Sequence, residues 1–487
     1  MGVAGRPATP GLASGKAVFV RECGRSSRFR AGPASLHRRW LAEPSLGGVQ
    51  ARRPNGVRRL ANARVSFGCG DWGFGVRKLN VAVVGGSIAG CSAAILLSRA
   101  GHDVHVYERS PGGLVGRGGG IGTPVPVLQG LLDDDIVDSD MPYLVADAMP
   151  FIVRTDSAPG TGAVPWEMPM QLAAFHWSAL WGQLRRRVPD ERYHRSALVT
   201  DVTEDDQGRL TVSFEQGDVA TADLVVFADG YHSLGRRLLF PDVHLRYLGY
   251  QLWRGLLPEA ELVGPDVLGS NCPRVSFATM PGNFVCYFVP GEDGSTRPGE
   301  RLVNWAAYIP VPDDELPTFM VDRSGRAREG AIPPGQVRPE VEESLKAAME
   351  AELPEYYGAM VRATEHTYVQ LIYTAQMPAY HRGPVCLIGD AGSVAQPFTG
   401  SGVFKGYNNI QSLLDVLDHH DDLVAALEEW DVDQVRLADR LLALGDQMEQ
   451  AFIWNSLDLT RADAESTEAW WRKAVQFPDD FTYEARS

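Results

Sequence analysis

Six cysteines are spread over 487 residues (Cys23, Cys69, Cys91, Cys272, Cys286, Cys386), with no CxxC pair and no metal-like spacing. That pattern argues against a zinc centre and against a disulfide framework, and it fits reduced, mostly buried thiols. No metal is expected. Uninterrupted apolar runs are missing too. Leu79 to Ser98 carries no charged residue and is long enough to cross a bilayer, but Gly85, Gly86, Ser87 and Gly90 break it in the middle. It reads as strand, turn and helix. No apolar stretch of the kind a secretory signal needs is visible behind a short basic start, so no such signal is expected. Positive charge is in deficit: the formal net charge is −15, which makes the body of the chain a poor partner for nucleic acid or an anionic membrane. An internal repeat of 20–50 residues is also lacking.

That average hides two kinds of sequence. Residues 1–78 hold 13 Arg and 2 Lys against three acidic residues, a balance of +12, and the remainder carries −27. This basic leader has no sustained period and is expected to be poorly ordered and dispensable up to about residue 75. It reads either as an organelle transit peptide or as an over-extended start to a fold that begins near Val76, and its sparse serine favours the second. The protein is accordingly expected in the cytoplasm, with organelle import as the alternative. The remaining length is enough for two or three domains.

What is present begins at Leu79. LNVAVV (79–84) has the short, valine-rich character of a buried parallel strand. IAGCSAAILLSRAG (88–101) has helical spacing with Gly101 as its stop, and HDVHVYER (102–109) alternates as a second strand. Between them lies the turn GGSIAG, made of Gly85, Gly86, Ser87, Ile88, Ala89 and Gly90. Gly85 permits the tight turn, and Gly90 lets the helix lie against the strand. Ser87, the smallest polar choice, faces the place of a pyrophosphate at the helix N-terminus. Glu108, at the end of the second strand and followed by Arg109, stands where a carboxylate binds both ribose hydroxyls, which favours an unphosphorylated ribose. The unit predicts a bound dinucleotide, FAD or NAD.

Two more glycine–aspartate segments follow far downstream. ADLVVFADGYHSLGRR (222–237) runs a buried strand into Asp229, with Ser233 and Arg236 after it. VCLIGDAGSVAQPFTGSGVFKGYNNIQSLLDVL (385–417) ends a strand in Gly389-Asp390, then carries Pro397, Gly400 and Gly402 before a helix from about Phe404. Strand-end carboxylates sit at the sheet edge where ligands bind in open α/β folds. Each alone is an ordinary turn; the three in this order are harder to obtain by chance.

Together GGSIAG with Glu108, DGYHS with Arg236, and GDAGS…PFTGSG resemble the class A FAD-dependent aromatic hydroxylases, the p-hydroxybenzoate hydroxylase type. The likeness is greatest to the dihydroxypyridine hydroxylase branch. WRGLLPE (253–259) and RLVNWAAYIP (301–310) resemble two strands of that branch's substrate domain, and the likeness runs from about Leu79 to Leu417. The resemblance implies bound FAD and transient NAD(P)H, which fits the lack of a second βαβ fingerprint. It implies oxygen transfer from a flavin C4a-hydroperoxide to a small electron-rich aromatic or hydroxypyridine ring. It further implies that Asp229 helps position the pyrophosphate near the path of NAD(P)H, that Asp390 holds the ribityl chain, and that Pro397 to Gly402 lie along the flavin ring. Ser393 stands where many members have His, and Trp177 where many present Arg or Gln.

The expected architecture is α/β: a Rossmann-like FAD-binding domain interwoven with a mainly β substrate domain, plus a C-terminal helical tail. The leader covers 1–78, the FAD-binding domain 79–245 and 374–420, the substrate domain 246–373 and the helical region 421–487. GRGGGIG (116–122) reads as backbone close to the flavin. Tyr250, Trp253 and Arg254 are candidates for shaping the substrate pocket, although an alternating strand can turn either Trp253 or Arg254 outward. The catalytic base is not identified among His176, His232, Tyr250, Tyr287 and Tyr373. The tail, with Leu427, Trp430, Leu441, Leu444 and Phe452, is expected to pack on the core, a homodimer face being the other reading. The acidic run DDDIVDSD (133–140) reads as solvated surface. Competing functions are a non-oxygenating FAD-dependent oxidoreductase, a flavin halogenase (WAAYIP has Ala307 in place of that family's second Trp) and a flavin-holding scaffold.

Overall fold

The computed structural model describes residues 78–476 except 113 and 115–117. The basic leader, together with Gly116 and Arg117 of the glycine-rich segment, lies outside the described residues. The first half of the chain runs β1 (Asn80–Val84), α1 (Ile88–Arg99), β2 (Asp103–Glu108), β3 (Gly120–Pro124), α2 (Val125–Asp133), β4 (Leu144–Thr155), β5 (Ala158–His176) and α3 (Trp177–Arg185). Then come β6 (Tyr193–Arg195), β7 (Val199–Glu204), β8 (Leu210–Phe214), β9 (Val219–Ala222), β10 (Leu224–Phe227), α4 (Leu234–Leu239) and β11 (Arg246–Pro258). The next stretch holds β12 (Arg274–Ser276), β13 (Asn283–Val289), β14 (Leu302–Pro310), α5 (Leu316–Phe319), β15 (Ala331–Ile332), α6 (Pro339–Glu352), α7 (Glu355–Ala363) and β16 (Tyr368–Thr374). The chain closes through β17 (His381–Arg382), β18 (Val385–Leu387), α8 (Lys405–Leu417), α9 (Leu423–Glu449) and α10 (Ala464–Val475).

Two sheets organise these elements. The first has the order β17-β18-β10-β1-β2-β6, parallel except for β17. Its central strands read VAVV and LVVF because both faces are covered, so every one of those side chains is buried. The second has nine strands in the order β15-β16-β11-β14-β13-β12-β4-β5-β3. A small sheet, β7-β8-β9, packs Val199, Leu210, Val212 and Ala222 into the core of the first.

The nine-stranded sheet corrects an expected boundary. Residues 144–176, placed by sequence in the first part of the FAD-binding domain, form a long hairpin that joins the strands of 246–373 through the parallel pair β4–β12. The strand signal was masked there by Pro150, Pro165 and Pro169, which edge strands and bulged positions tolerate. Along β11, β13 and β14 alternate residues face opposite sides. Trp253, Phe284, Trp305 and Ala307 pack into a core with α6 and α7, while Leu252, Tyr287, Ala306 and Tyr308 face the other way.

That second face is covered by the C-terminal helices. Leu441, Leu444, Met448, Phe452 and Trp471 join its core, while Leu427 and Trp430 pack into the core of the first sheet. Asp422 caps α9 by accepting the Ala425 N–H at 2.8 Å, and Asp463 with Ser466 forms a capping box on α10. The acidic run is only partly solvated. Ile136 and Val137 are buried, and Asp135 and Asp138 pair with Arg99, Arg186 and Arg187. Cys91, Cys272, Cys286 and Cys386 are buried thiols. Among the described residues no helix is long and apolar enough to cross a membrane.

Candidate active site

The turn after β1 is shaped by its glycines. Gly85 has φ +102°, outside the range of ordinary side chains, and a Cβ there would come within 2.6 Å of the Ala228 carbonyl. A Cβ on Gly90 would collide with the Gly85 carbonyl, so the helix can cross here only on glycine. The Gly86 carbonyl accepts from Trp181 Nε1–H at 2.9 Å and from the Tyr193 hydroxyl at 3.0 Å. Neither residue stood out in the sequence. Ser87 begins α1 in extended conformation without using its hydroxyl as a cap, and Ser87, Ile88 and Ala89 line a cavity. Glu108 also lines it, its carboxylate oriented by the Gly86 and Ser110 N–H groups, each at 2.8 Å.

The other two segments reach the same cavity. Asp229, at the end of β10, accepts the Leu234 N–H at 2.7 Å with one oxygen, and its other oxygen is buried without a partner. Burial pushes its carboxyl above the usual range. Arg236 ties the two aspartate loops, donating to the carbonyls of Tyr231, Asp390 and Ala391. Asp390 is held by a lysine that no motif singles out. Lys405, buried at the start of α8, donates to Asp390 Oδ1 at 2.8 Å and to the Ser393 carbonyl at 2.6 Å. Gly389, Asp390, Pro397, Gly400 and Gly402 all line the cavity, as does Arg109. Gly86 and Gly90 shape the turn without lining it.

This cavity of about 1020 Å³ continues from the first sheet onto the cavity-facing side of the second. Its size is at the upper end of the roughly 300–1,000 Å³ typical of small-molecule sites. Arg254 lines it. Its Nη2 donates to the Gly120 carbonyl at 2.6 Å, and Asn304 Oδ1 accepts the Gly120 N–H at 2.9 Å. Both side chains therefore brace the glycine segment. Trp177 lines the cavity beside Gly118.

Two of the three proposed pocket residues are not there. Trp253 lies on the opposite face of β11, with its ring edge-on to Phe319, because alternation turns Leu252 and Arg254 inward. Tyr250 shares the inward side but is fully buried beside Trp454 and behind Tyr308 and Phe398, which line the cavity in its place. Of the base candidates, His232, Tyr287 and Tyr373 line the cavity, whereas His176 is turned away to the Pro290 carbonyl. Burial pushes His232 down and Tyr287 and Tyr373 up. Ser393 is buried and does not line the cavity.

Comparison with known proteins agrees with this geometry. A family described as FAD binding domain-like matches residues 247–374, and an NAD(P)-binding Rossmann-like domain matches 83–118, the β1–α1–β2 unit. The 2,6-dihydroxypyridine 3-monooxygenase of Paenarthrobacter nicotinovorans is 28% identical, covering 73% of this chain and 87% of its own. The structure of 2,6-dihydroxypyridine-3-hydroxylase from Arthrobacter nicotinovorans superposes with a TM-score of 0.71 at 26% identity, over 79% of this chain and 95% of that one. The 3-amino-4-hydroxybenzoate 2-monooxygenase of Streptomyces cremeus is 30% identical over 70% of this chain and 79% of its own. With the glycine turn, the two aspartate loops and the shared cavity, these likenesses make the chain a member of the class A FAD-dependent aromatic hydroxylases, monooxygenases that use NAD(P)H and O2.

Proposed function

We propose that FAD lies along the cavity from the β1–α1 turn to the nine-stranded sheet, and that a small hydroxylated aromatic or hydroxypyridine ring is hydroxylated at the sheet end. The observation carrying this reading is that one continuous cavity touches all three glycine–aspartate segments and the inward face of β11, β13 and β14. In this arrangement the pyrophosphate sits at the start of α1, where Ser87 Oγ and the free amides of the first turn donate to it. Glu108, fixed by two backbone amides, accepts from the adenosine ribose, with Arg109 beside it. Gly85, Gly86, Ile88, Ala89 and Gly90 keep backbone close to the phosphates. Asp229 and Asp390 face the middle of the dinucleotide, Lys405 holding Asp390 in place. Gly389, Pro397, Gly400 and Gly402 border the ring on one side and Gly118–Gly120 on the other.

Bound FAD supplies acceptance of a hydride from NAD(P)H and activation of O2 for transfer of one oxygen atom to the substrate. The protein's own share is positioning and exclusion of water. Met149, Met168, Leu172, Leu252 and Val285 give the sheet end an apolar wall that keeps bulk water from the reacting atoms. The Arg254 guanidinium beside that wall stabilises the ionised form of a substrate hydroxyl, the form with the more electron-rich ring. A screen of phenols and hydroxypyridines on the FAD-loaded protein tests the reading. At least one ring is expected to accelerate NAD(P)H oxidation and to gain a hydroxyl group; acceleration by none would reject the assignment.

A further inference from the structure

Sulfur is concentrated on one wall of the cavity. Of the 11 methionines in the chain, Met149, Met168, Met170 and Met448 line it. Met149 of β4 and Met168 of β5 are register partners in the long hairpin, so their side chains lie next to each other on one face. Both are buried in the core that the C-terminal helices cover. A small reagent therefore meets these two sulfurs from inside the cavity. Outside it, among the described residues, Met280 is the one methionine that is not buried, and solvent reaches it directly.

The cavity also exposes a thiol, and the two kinds of sulfur differ in reactivity. Burial pushes the Cys272 thiol up to about 12. A thiol attacks peroxide as its thiolate, which at pH 7 is then on the order of one part in 10⁵. A thioether needs no deprotonation, so its lone pair is available to an oxidant at any pH, inside an apolar wall as in water. Leucine would fill much the same volume and offer no oxidisable atom.

We infer that Met149 and Met168 are sites of self-oxidation, modified by peroxide made in the same cavity. The inference rests on the placement of FAD proposed above. When the flavin is reduced and no ring is present to take oxygen, two electrons and two protons pass to O2 and give hydrogen peroxide. A methionine sulfur then takes one oxygen atom. The S–O bond forms and the O–O bond breaks; the thioether is oxidised by two electrons, and the peroxide leaves as water. The sulfoxide sets a strong dipole in the wall that keeps water from the reacting atoms. Idle turnover thus converts the ring site from apolar to polar and switches it off from within.

The test is peptide mapping by mass spectrometry of the FAD-loaded full-length protein. It is taken through repeated cycles of anaerobic reduction by NADH or NADPH and re-oxidation in air, with catalase in the solution and no aromatic added. One added oxygen is expected at Met149 and at Met168, each at least tenfold more often than at Met280. Protein given hydrogen peroxide from outside, without reduction or catalase, should show the reverse order. Cycled protein that gains oxygen first at Met280 or Cys272, or at no methionine, overturns the inference, as does the same order under both treatments. Flavin that neither nucleotide reduces removes the hydroxylase reading instead; one equivalent of dithionite then replaces the nucleotide and still decides the methionines.

Discussion

Trp253 and Arg254 are adjacent in sequence and sit on opposite faces of one strand. Only the second reaches the cavity, so the two side chains must fail in different ways when removed. Trp253→Ala empties a packed site against Phe319 and the α6–α7 core, and should lower the unfolding free energy by about 3–5 kcal/mol while KM stays at its wild-type value. Denaturant melts and steady-state kinetics check this; a raised KM with unchanged stability would return Trp253 to the pocket. The glycines of the first turn were legible in the sequence where backbone geometry leaves no other residue for the position. Gly85 with φ +102° and Gly90 against the Gly85 carbonyl are the clearest cases. Which face a strand residue takes was not legible, since alternation fixes parity and only the register with β14 and β16 fixes direction. Lys405 was illegible for another reason: it acquires its role from Asp390, a partner supplied by another segment.

Helix α1 is the element on which dinucleotide binding depends most directly, and its first turn separates folding from binding. Ser87→Asp places a carboxylate at the helix N-terminus. Without FAD this should stabilise the helix by roughly 0.3–1 kcal/mol through the dipole. With FAD, the same charge opposes the pyrophosphate and should weaken affinity at least tenfold. Thermal melts of the apoprotein and a flavin fluorescence titration read the two effects separately, and unchanged FAD affinity would move the phosphates away from Ser87. Elements of the first sheet were easy to read because buried parallel strands are continuous apolar runs. The β4–β5 hairpin was assigned to the wrong part of the fold because its prolines interrupt the alternation. Its bulged register, with shifts between Ala146 and Ala148 and between Phe151 and Thr155, shows how the strands accommodate them.

At the scale of the whole molecule, two sheets of different character share one cavity, and a C-terminal pair of helices closes it. A parallel sheet with its ligand edge at the strand ends suits a dinucleotide, and a broad antiparallel face suits a flat ring. Their junction lies where β10 and β18 end in Asp229 and Gly389-Asp390 and where Arg254 braces Gly120. A cofactor spanning that junction would put its reactive ring beside the antiparallel face and away from water. The reading therefore makes a demand that a simple flavin reductase would not meet: consumption of NAD(P)H must be coupled to insertion of an oxygen atom. The deciding measurement is turnover of an accelerating phenol or hydroxypyridine under 18O2, with the product analysed by mass spectrometry. One labelled oxygen in the product is the predicted result. NAD(P)H oxidation that leaves the ring unlabelled and unchanged would contradict it.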